Sequence, residues 1–315
     1  MSACAAKQPA ARALVLAALL ALLCALPGRS QSKEAAPAAS AAAADPVLQA
    51  MVAELERSKA QLKMENVQAP YYLEYRITDV DEYAAEAAFG ALRQDQRFRI
   101  RLLRAVVRVG DYKQDSYFGE GLGAVNVVPL DDDPLALRHQ LWWVTDRAYK
   151  NAIEALTAKQ ALLKQFSVDQ PVDDFARAPA LPSLGPLAKL EVDVDRWRGV
   201  LEASSALFRK YPEVQWLEAN LRFITYNHYF VNSEGTVTRH GQCLYYMGVS
   251  GSTQAPDGMR LDRSPYWLVG TPQELPTAEQ FLADTVKMLE TLKKLREAPI
   301  VEEEYRGPVD RKSVV

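Results

Sequence analysis

The most constraining feature of this chain is an apolar pattern that runs from Pro134 to about Phe166. Asp131–Asp133 precede it, and Pro134 suits the first position of a helix, where negative charge also complements the helix dipole. One stripe of apolar side chains recurs every three or four residues: Leu137, Leu141, Val144, Ala148, Ala152 and Leu156. The pattern predicts a long amphipathic helix that needs a core on one side.

Aromatic side chains accompany this stripe at Trp142, Trp143 and Tyr149. We expect them to pack against a sheet, and a platform for a ligand is the alternative. Three further helices are predicted. One starts at the N-cap Asp45, one runs from about Asp193 to Tyr211, and one opens with the capping box Thr277–Gln280.

Alternating polar and apolar residues predict strands on both sides of these helices. The first group comprises 71–78, 83–92 and 99–109, with short connections that favour an antiparallel meander. The second comprises 214–225, 229–232 and 236–250, with a turn at Ser233–Gly235 and a further strand pair around 255–258. The predicted fold class is therefore α+β, with antiparallel sheets packed against long amphipathic helices.

The N-terminal residues are predicted to be a targeting signal and not part of the fold. Lys7 and Arg12 precede an apolar run over 13–26, which is typical of a secretory signal over 1–30 and too short for a permanent membrane span. Cys24 leaves lipidation open. An Ala/Pro-rich spacer is predicted for 31–44, and we expect an exported protein, periplasmic or extracellular.

One domain is predicted from 45 to 309. Within it, 167–190 holds four prolines and reads as a long connecting loop, either a boundary or a surface arm. The net charge of −3 and the scattered basic residues argue against nucleic acid as a partner.

The sequence offers no persuasive active site. Its three histidines, His139, His228 and His240, lack metal-site spacing. A hairpin could bring His228 near His240, and a two-histidine metal site there is the alternative, although no third ligand is evident. Cys243 lies in a strand-like run with no base nearby and reads as a small buried hydrophobe. No catalytic, cofactor-binding or metal-binding residue is assigned.

Glycine and serine patterns add no site. Gly248–Gly251 contains Ser250 but does not open a helix as a nucleophile elbow does. Gly119–Gly123 reads as a flexible loop between strand and helix. Capping explains Asp131–Asp133, and a solvated tail explains Glu302–Glu304.

Four segments nevertheless resemble, in order, the N-terminal domain of the TldD/PmbA metallopeptidases, also called modulators of DNA gyrase, in their exported bacterial branch. The similarity covers roughly 45–309, nearly all of the mature chain. The segments are Tyr71–Arg76, Arg108–Tyr112, Leu141–Lys150 and Tyr229–Thr236.

The resemblance implies a zinc-dependent peptidase that acts on peptides or unfolded protein and forms a homo- or heterodimer. Its zinc would be bound by H-E-x-x-x-H and a later cysteine in a C-terminal domain, while the N-terminal domain lines the substrate cavity and contributes to subunit contacts. The motif is absent here, so no metal or catalytic residue is carried over and this portion is expected to be inactive alone.

The last residues, 310–315, match what a common short-read sequencing adapter encodes in frame. The hypothesis is that they form a non-native tail and that the catalytic domain is missing. The alternative function is a stand-alone exported binding or interaction protein without catalysis.

Overall fold

The computed structural model describes residues 45–165, 172–299 and 306–308. The predicted signal peptide 1–30 and the predicted spacer 31–44, as well as Glu302–Glu304 and the tail 310–315, lie outside the described residues. The described part contains four α-helices: α1 (Pro46–Gln61), α2 (Pro134–Leu163), α3 (Val194–Ser205) and α4 (Ala278–Arg296). All four predicted helices are therefore confirmed. No helix in the described ranges has the length and apolar character to cross a membrane.

In the part of the chain that the structure describes, eight strands form one sheet: β1 (Tyr72–Ala88), β2 (Ala91–Arg108), β3 (Ala124–Val128), β4 (Pro182–Leu184), β5 (Val214–Asn232), β6 (Val237–Gln254), β7 (Arg260–Arg263) and β8 (Tyr266–Val269). The order is β3-β2-β1-β5-β6-β4, and β7 and β8 also pair with β6. Every pairing is antiparallel except that of β4 with β6. The α+β class is confirmed.

The predicted three-strand meander is wrong. Asp79–Asp81 and 93–98 were expected to be connections, but they lie inside two continuous strands, β1 and β2. The real turn is Phe89-Gly90, and both residues have positive φ (54° and 82°), as a tight hairpin turn requires. Phe89 packs edge-on against Phe208 and Trp216, which holds this turn residue in place.

Other boundaries also differ from expectation. The break predicted between 225 and 229 does not exist, because β5 is continuous. The Gly119–Gly123 loop contains a 3-10 turn and is followed by β3, which was not predicted. The turn at Ser233–Gly235 is confirmed, with Gly235 at φ 95°.

All four helices cover one face of the sheet, in two pairs. Helices α1 and α2 pack together over one end of β1, where Leu73, Tyr75 and Ile77 belong to their core. Helices α3 and α4 share a second core with Tyr83, Ala85 and Ala87. In the described residues, no helix lies above the middle of the sheet, between the two cores.

Candidate functional site

A central cavity of about 700 Å³ occupies this gap, and charged side chains from β1 and β2 form its floor. Asp79 and Asp81 follow Ile77 on the same face of β1, because side chains two apart share a face. Arg97, Arg99 and Arg101 alternate in the same way on β2. The apolar pattern of the sheet therefore changes to a charged pattern where the helix cover ends.

Each arginine binds a carboxylate on the neighbouring strand. Arg97 donates two hydrogen bonds to Asp81, with nitrogen–oxygen distances of 2.9 and 2.7 Å. Arg99 donates to both oxygens of Asp79 at 3.2 and 2.9 Å. The side chains of Arg97 and Arg99 remain 58% and 48% exposed, so both guanidinium groups are accessible from the cavity.

Arg101 is different, because its side chain is only 2% exposed. Its guanidinium donates to Asp79 Oδ2 at 2.7 Å, to Asp132 Oδ1 at 2.9 Å and to the Pro129 carbonyl at 3.2 Å. In the acidic run 131–133, Asp133 caps α2 as predicted, while Asp132 forms this second, unpredicted contact.

A second ion pair closes one end of the cavity. Asp45 accepts hydrogen bonds from the backbone of Val47 and Leu48 through Oδ1, which confirms it as the N-cap of α1. Its other oxygen, Oδ2, accepts from Arg239 on β6 at 2.7 Å. The capping residue therefore also ties α1 to the sheet.

The opposite wall is the segment 187–191, which is held over β5 by a side-chain amide. Asn227 accepts from the Ala188 N–H at 2.8 Å and donates to the Ala188 carbonyl at 3.0 Å. Gly241 lies beneath, and a Cβ there would come within 2.2 Å of the Ala188 nitrogen. The close approach of this wall therefore depends on glycine.

The side chains that line the cavity can bind polar and charged groups of a ligand. Guanidinium groups can donate to carbonyl or carboxylate oxygens, and carboxylates can accept from amide or ammonium groups. Tyr229 adds a phenol, and burial, the largest effect on its pKa, raises that pKa and keeps the hydroxyl protonated. The described lining contains no serine, cysteine or histidine.

The structure brings two of the three histidines together. His228 and His240 lie opposite each other on β5 and β6, with ring centroids 4.8 Å apart. They are on the face of the sheet that none of the described helices covers, called below the face without helices. The predicted proximity is confirmed. His139 is exposed on α2, as expected. In the described ranges, no three His, Cys, Asp or Glu side chains form a group that could bind a metal.

The serine and cysteine candidates lie within β6. Ser250 Oγ donates to Ser264 Oγ at 3.0 Å, on a strand and not at an elbow before a helix. Cys243 was predicted to be buried, but it is only half-buried, beside the second core. Burial, followed by the neighbouring Cys243, raises the pKa of Tyr245 to about 12.

The two tryptophans of α2 were predicted to pack against the sheet, but both are partly exposed. Trp142 and Trp143 are 44% and 43% exposed, and Arg147 lies over the ring of Trp143 at 4.9 Å. Tyr149 is buried as expected, and its hydroxyl donates to the Gln68 carbonyl. Periodicity placed the helix correctly but could not settle which side chains beside the apolar stripe reach the core.

The four segments that carry the family resemblance meet at one end of the sheet. The Tyr112 hydroxyl donates to Glu234 at 2.7 Å, and the ring of Tyr71 contacts that of Tyr112. Thr145 on α2 donates to the Tyr75 hydroxyl at 2.9 Å. Residues from segments far apart in sequence therefore contact one another at this end of the sheet.

This chain is similar to several solved structures. No family model and no curated protein matches this chain. A protein described as a modulator of DNA gyrase from Thermotoga maritima is 13% identical, with 79% of this chain and 49% of that chain covered and a TM-score of 0.47. TldE from Thermococcus kodakarensis is 9% identical, with coverages of 78% and 47% and a TM-score of 0.45.

A protein described as a modulator of DNA gyrase from Bacteroides thetaiotaomicron is 10% identical, with coverages of 78% and 49% and a TM-score of 0.49. The chain thus spans about half the length of the solved structures it matches.

Proposed function

We propose that this chain is the non-catalytic, substrate-binding N-terminal portion of an exported zinc metallopeptidase that acts on peptides or unfolded protein. The observation that carries the proposal is the central cavity, where Arg97 and Arg99 present accessible guanidinium groups beside carboxylates. An extended peptide offers carbonyl oxygens, amide hydrogens and charged termini, and each has a complementary group in this cavity. Its volume lies within the range of ordinary ligand sites, roughly 300–1,000 Å³.

Peptide binding can be measured by fluorescence anisotropy with labelled, unfolded casein. Arg97→Gln and Arg99→Gln should each weaken binding, because a neutral amide loses the charge-assisted donors while keeping much of the side-chain length. The expected loss is about tenfold, which corresponds to about 1.4 kcal/mol.

Arg222→Gln is the matched control. Arg222 makes a comparable two-bond ion pair with Glu82, and its side chain is 59% exposed, but it lies on the opposite face of the sheet. Casein binding that falls equally in the Arg222 and Arg99 variants would count against the cavity as the peptide site.

The zinc-binding part of the proposed enzyme would follow this chain. Its two histidines, a helical turn apart, would share the metal, and the glutamate would activate water. The proposal expects the source DNA to diverge from this sequence after Val309, to continue in frame and to encode H-E-x-x-x-H. A genuine stop codon after Val315 would favour the stand-alone binding protein, in which the same cavity would serve without catalysis.

Export is part of the proposal and has its own test. The cleaved signal predicts a mature N-terminus close to Gln31 in the periplasmic fraction of an expressing bacterium. N-terminal sequencing of that fraction checks it. An uncleaved chain that starts at Met1 and stays in the cytoplasm would contradict export.

The face without helices is our candidate for subunit contact in the proposed dimer of two copies. In the described ranges no helix packs on it, and it exposes apolar side chains of four strands: Leu102, Val125, Val127, Leu244 and Leu268. Exposed apolar patches of this kind mark interaction surfaces.

The test is the mass of the intact protein by light scattering. Val125→Asp with Val127→Asp should shift a dimer towards monomer, because buried charge in an apolar contact is costly. Leu135→Asp, at a 75% exposed position on α2, should not. Unchanged dimerisation in the double variant would remove this face from the proposal.

A further inference from the structure

The His228–His240 pair is positioned by regular backbone and not by a mobile loop. The two residues are directly opposite in the antiparallel register of β5 and β6. Their hairpin is closed by the turn at Ser233–Gly235, where the Asn232 side chain accepts from the backbone of Glu234 and Thr236. The rings have centroids 4.8 Å apart and planes inclined by 31°. Two imidazoles at this spacing lie close enough to bind a single ion placed between them.

Neighbouring side chains fix the orientation of one ring. His228 Nδ1 lies 3.2 Å from the Thr78 hydroxyl on β1. Tyr226 stacks on His228, with centroids 5.9 Å apart and planes inclined by 10°. When Nδ1–H donates to Thr78, the lone pair of His228 is on Nε2. A hydrogen bond to the second ring nitrogen is the usual support of a metal-binding histidine.

The surroundings select the kind of ligand. The pair lies in a surface depression of about 460 Å³ whose lining includes Arg76, Phe230 and Gln242 and no carboxylate. Arg76 is neutralised by Glu74 at 2.9 Å and lies over the ring of Phe230. Imidazole nitrogen is therefore the main ligand type that this depression offers to a metal ion.

We propose that His228 and His240 together bind one divalent transition-metal ion of the Cu²⁺, Ni²⁺ and Zn²⁺ class, each through one imidazole nitrogen. Imidazole suits these ions, whereas Mg²⁺ and Ca²⁺ require oxygen ligands that this depression does not supply as carboxylates. The remaining coordination positions point away from the sheet. They are filled by water in the single chain and lie at the subunit contact where the proposed dimer forms through this face. This site is on the opposite face of the sheet from the central cavity. The test of metal binding is therefore independent of the test of peptide binding.

The proposal is tested by titrating the untagged chain with Cu²⁺ and Ni²⁺ in a calorimeter. One equivalent should bind, with Cu²⁺ tighter than Ni²⁺ as the general affinity order requires. His228→Ala and His240→Ala should each weaken binding by about tenfold or more. Loss of a group that only supports a metal ligand already costs about tenfold, and loss of the ligand itself should cost at least as much. The electron paramagnetic resonance spectrum of the Cu²⁺ form should show two coupled nitrogens.

His139 is a matched control within the same chain, because it is the one histidine of the sequence outside the pair and is exposed on α2. His139→Ala should bind metal like the unchanged protein. His240→Gln, at the exposed member of the pair, guards against misfolding: its melting temperature without metal should be unchanged while metal binding falls. Binding that persists in the double variant His228→Ala/His240→Ala, or that is lost with His139, would overturn the proposal.

Discussion

The guanidinium of Arg101 donates a 2.7 Å hydrogen bond to Asp79 Oδ2 beneath the central cavity, and both side chains are almost completely buried. Two charges out of water stabilise each other only while both are present. This relationship joins β1 to β2 at the point where neither apolar core reaches, so the strands there are held by charge pairing and not by packing.

Removal of one partner should therefore be costly. Arg101→Ala is expected to lower the free energy of unfolding by about 3 kcal/mol, because Asp132 loses this donor and the buried Asp79 keeps only its pair with the half-exposed Arg99. Urea unfolding measures this. Arg97→Ala removes a more exposed pair and should cost about 1 kcal/mol or less. Equal losses in the two variants would mean that burial does not set the strength of these pairs.

Two glycines should respond to alanine in opposite directions. Gly110 has φ 104°, and a Cβ there would lie 2.3 Å from the Gln114 carbonyl oxygen, so Gly110→Ala should cost about 2 kcal/mol or more. Gly199 lies within α3 with open space around it, so Gly199→Ala should stabilise the fold by about 0.5–1 kcal/mol. Thermal unfolding of both variants checks the contrast, and a stabilising Gly110→Ala would contradict the assigned backbone conformation.

An aromatic contact holds the proline-rich loop to the sheet. Phe175 lies 4.0 Å from the Arg108 guanidinium, and its backbone N–H donates to the Tyr112 carbonyl. Phe175→Ala should release the loop and speed tryptic cleavage at Arg177, since a desolvated cation–π contact is worth about 2 kcal/mol. Val172→Ala, at an 87% exposed position, is the control. An unchanged cleavage rate in the Phe175 variant would show that the loop is held by its backbone bonds alone.

Stability should fall at alkaline pH. Burial, then the hydrogen bond to Asp95, raises the pKa of Tyr83 to about 12. The folded state then keeps a proton that the unfolded state loses above about pH 10, so this contribution is present below pH 10 and disappears towards pH 12. Tyr83→Phe should flatten the decline in unfolding free energy over that window. The difference in unfolding free energy between the unchanged protein and Tyr83→Phe should stay constant from about pH 7 to 9, because Tyr83 is protonated there in both the folded and the unfolded state.

The helices were predictable because their signals are local. Asp45, Asp133 and Thr277 each cap the helix that follows, and a cap depends only on residues within one turn. The Ser233–Gly235 turn was predictable for the same reason, since glycine accommodates its positive φ. The strand boundaries were not, because Asp79 and Asp81 resemble turn residues until the arginines of β2 are placed beside them.

The sequence by itself determined the α+β class, the four helices and the closeness of His228 to His240, because each follows from a short-range pattern or a tight turn. Only the tertiary structure decided that β1 and β2 are continuous, that two cores leave a charged cavity between them, and that Asp132 reaches Arg101 and Asp45 reaches Arg239. These ion pairs join residues up to 194 positions apart. Their geometry is set by strand order and register, which depend on the packing of the whole sheet and not on any local stretch of the chain.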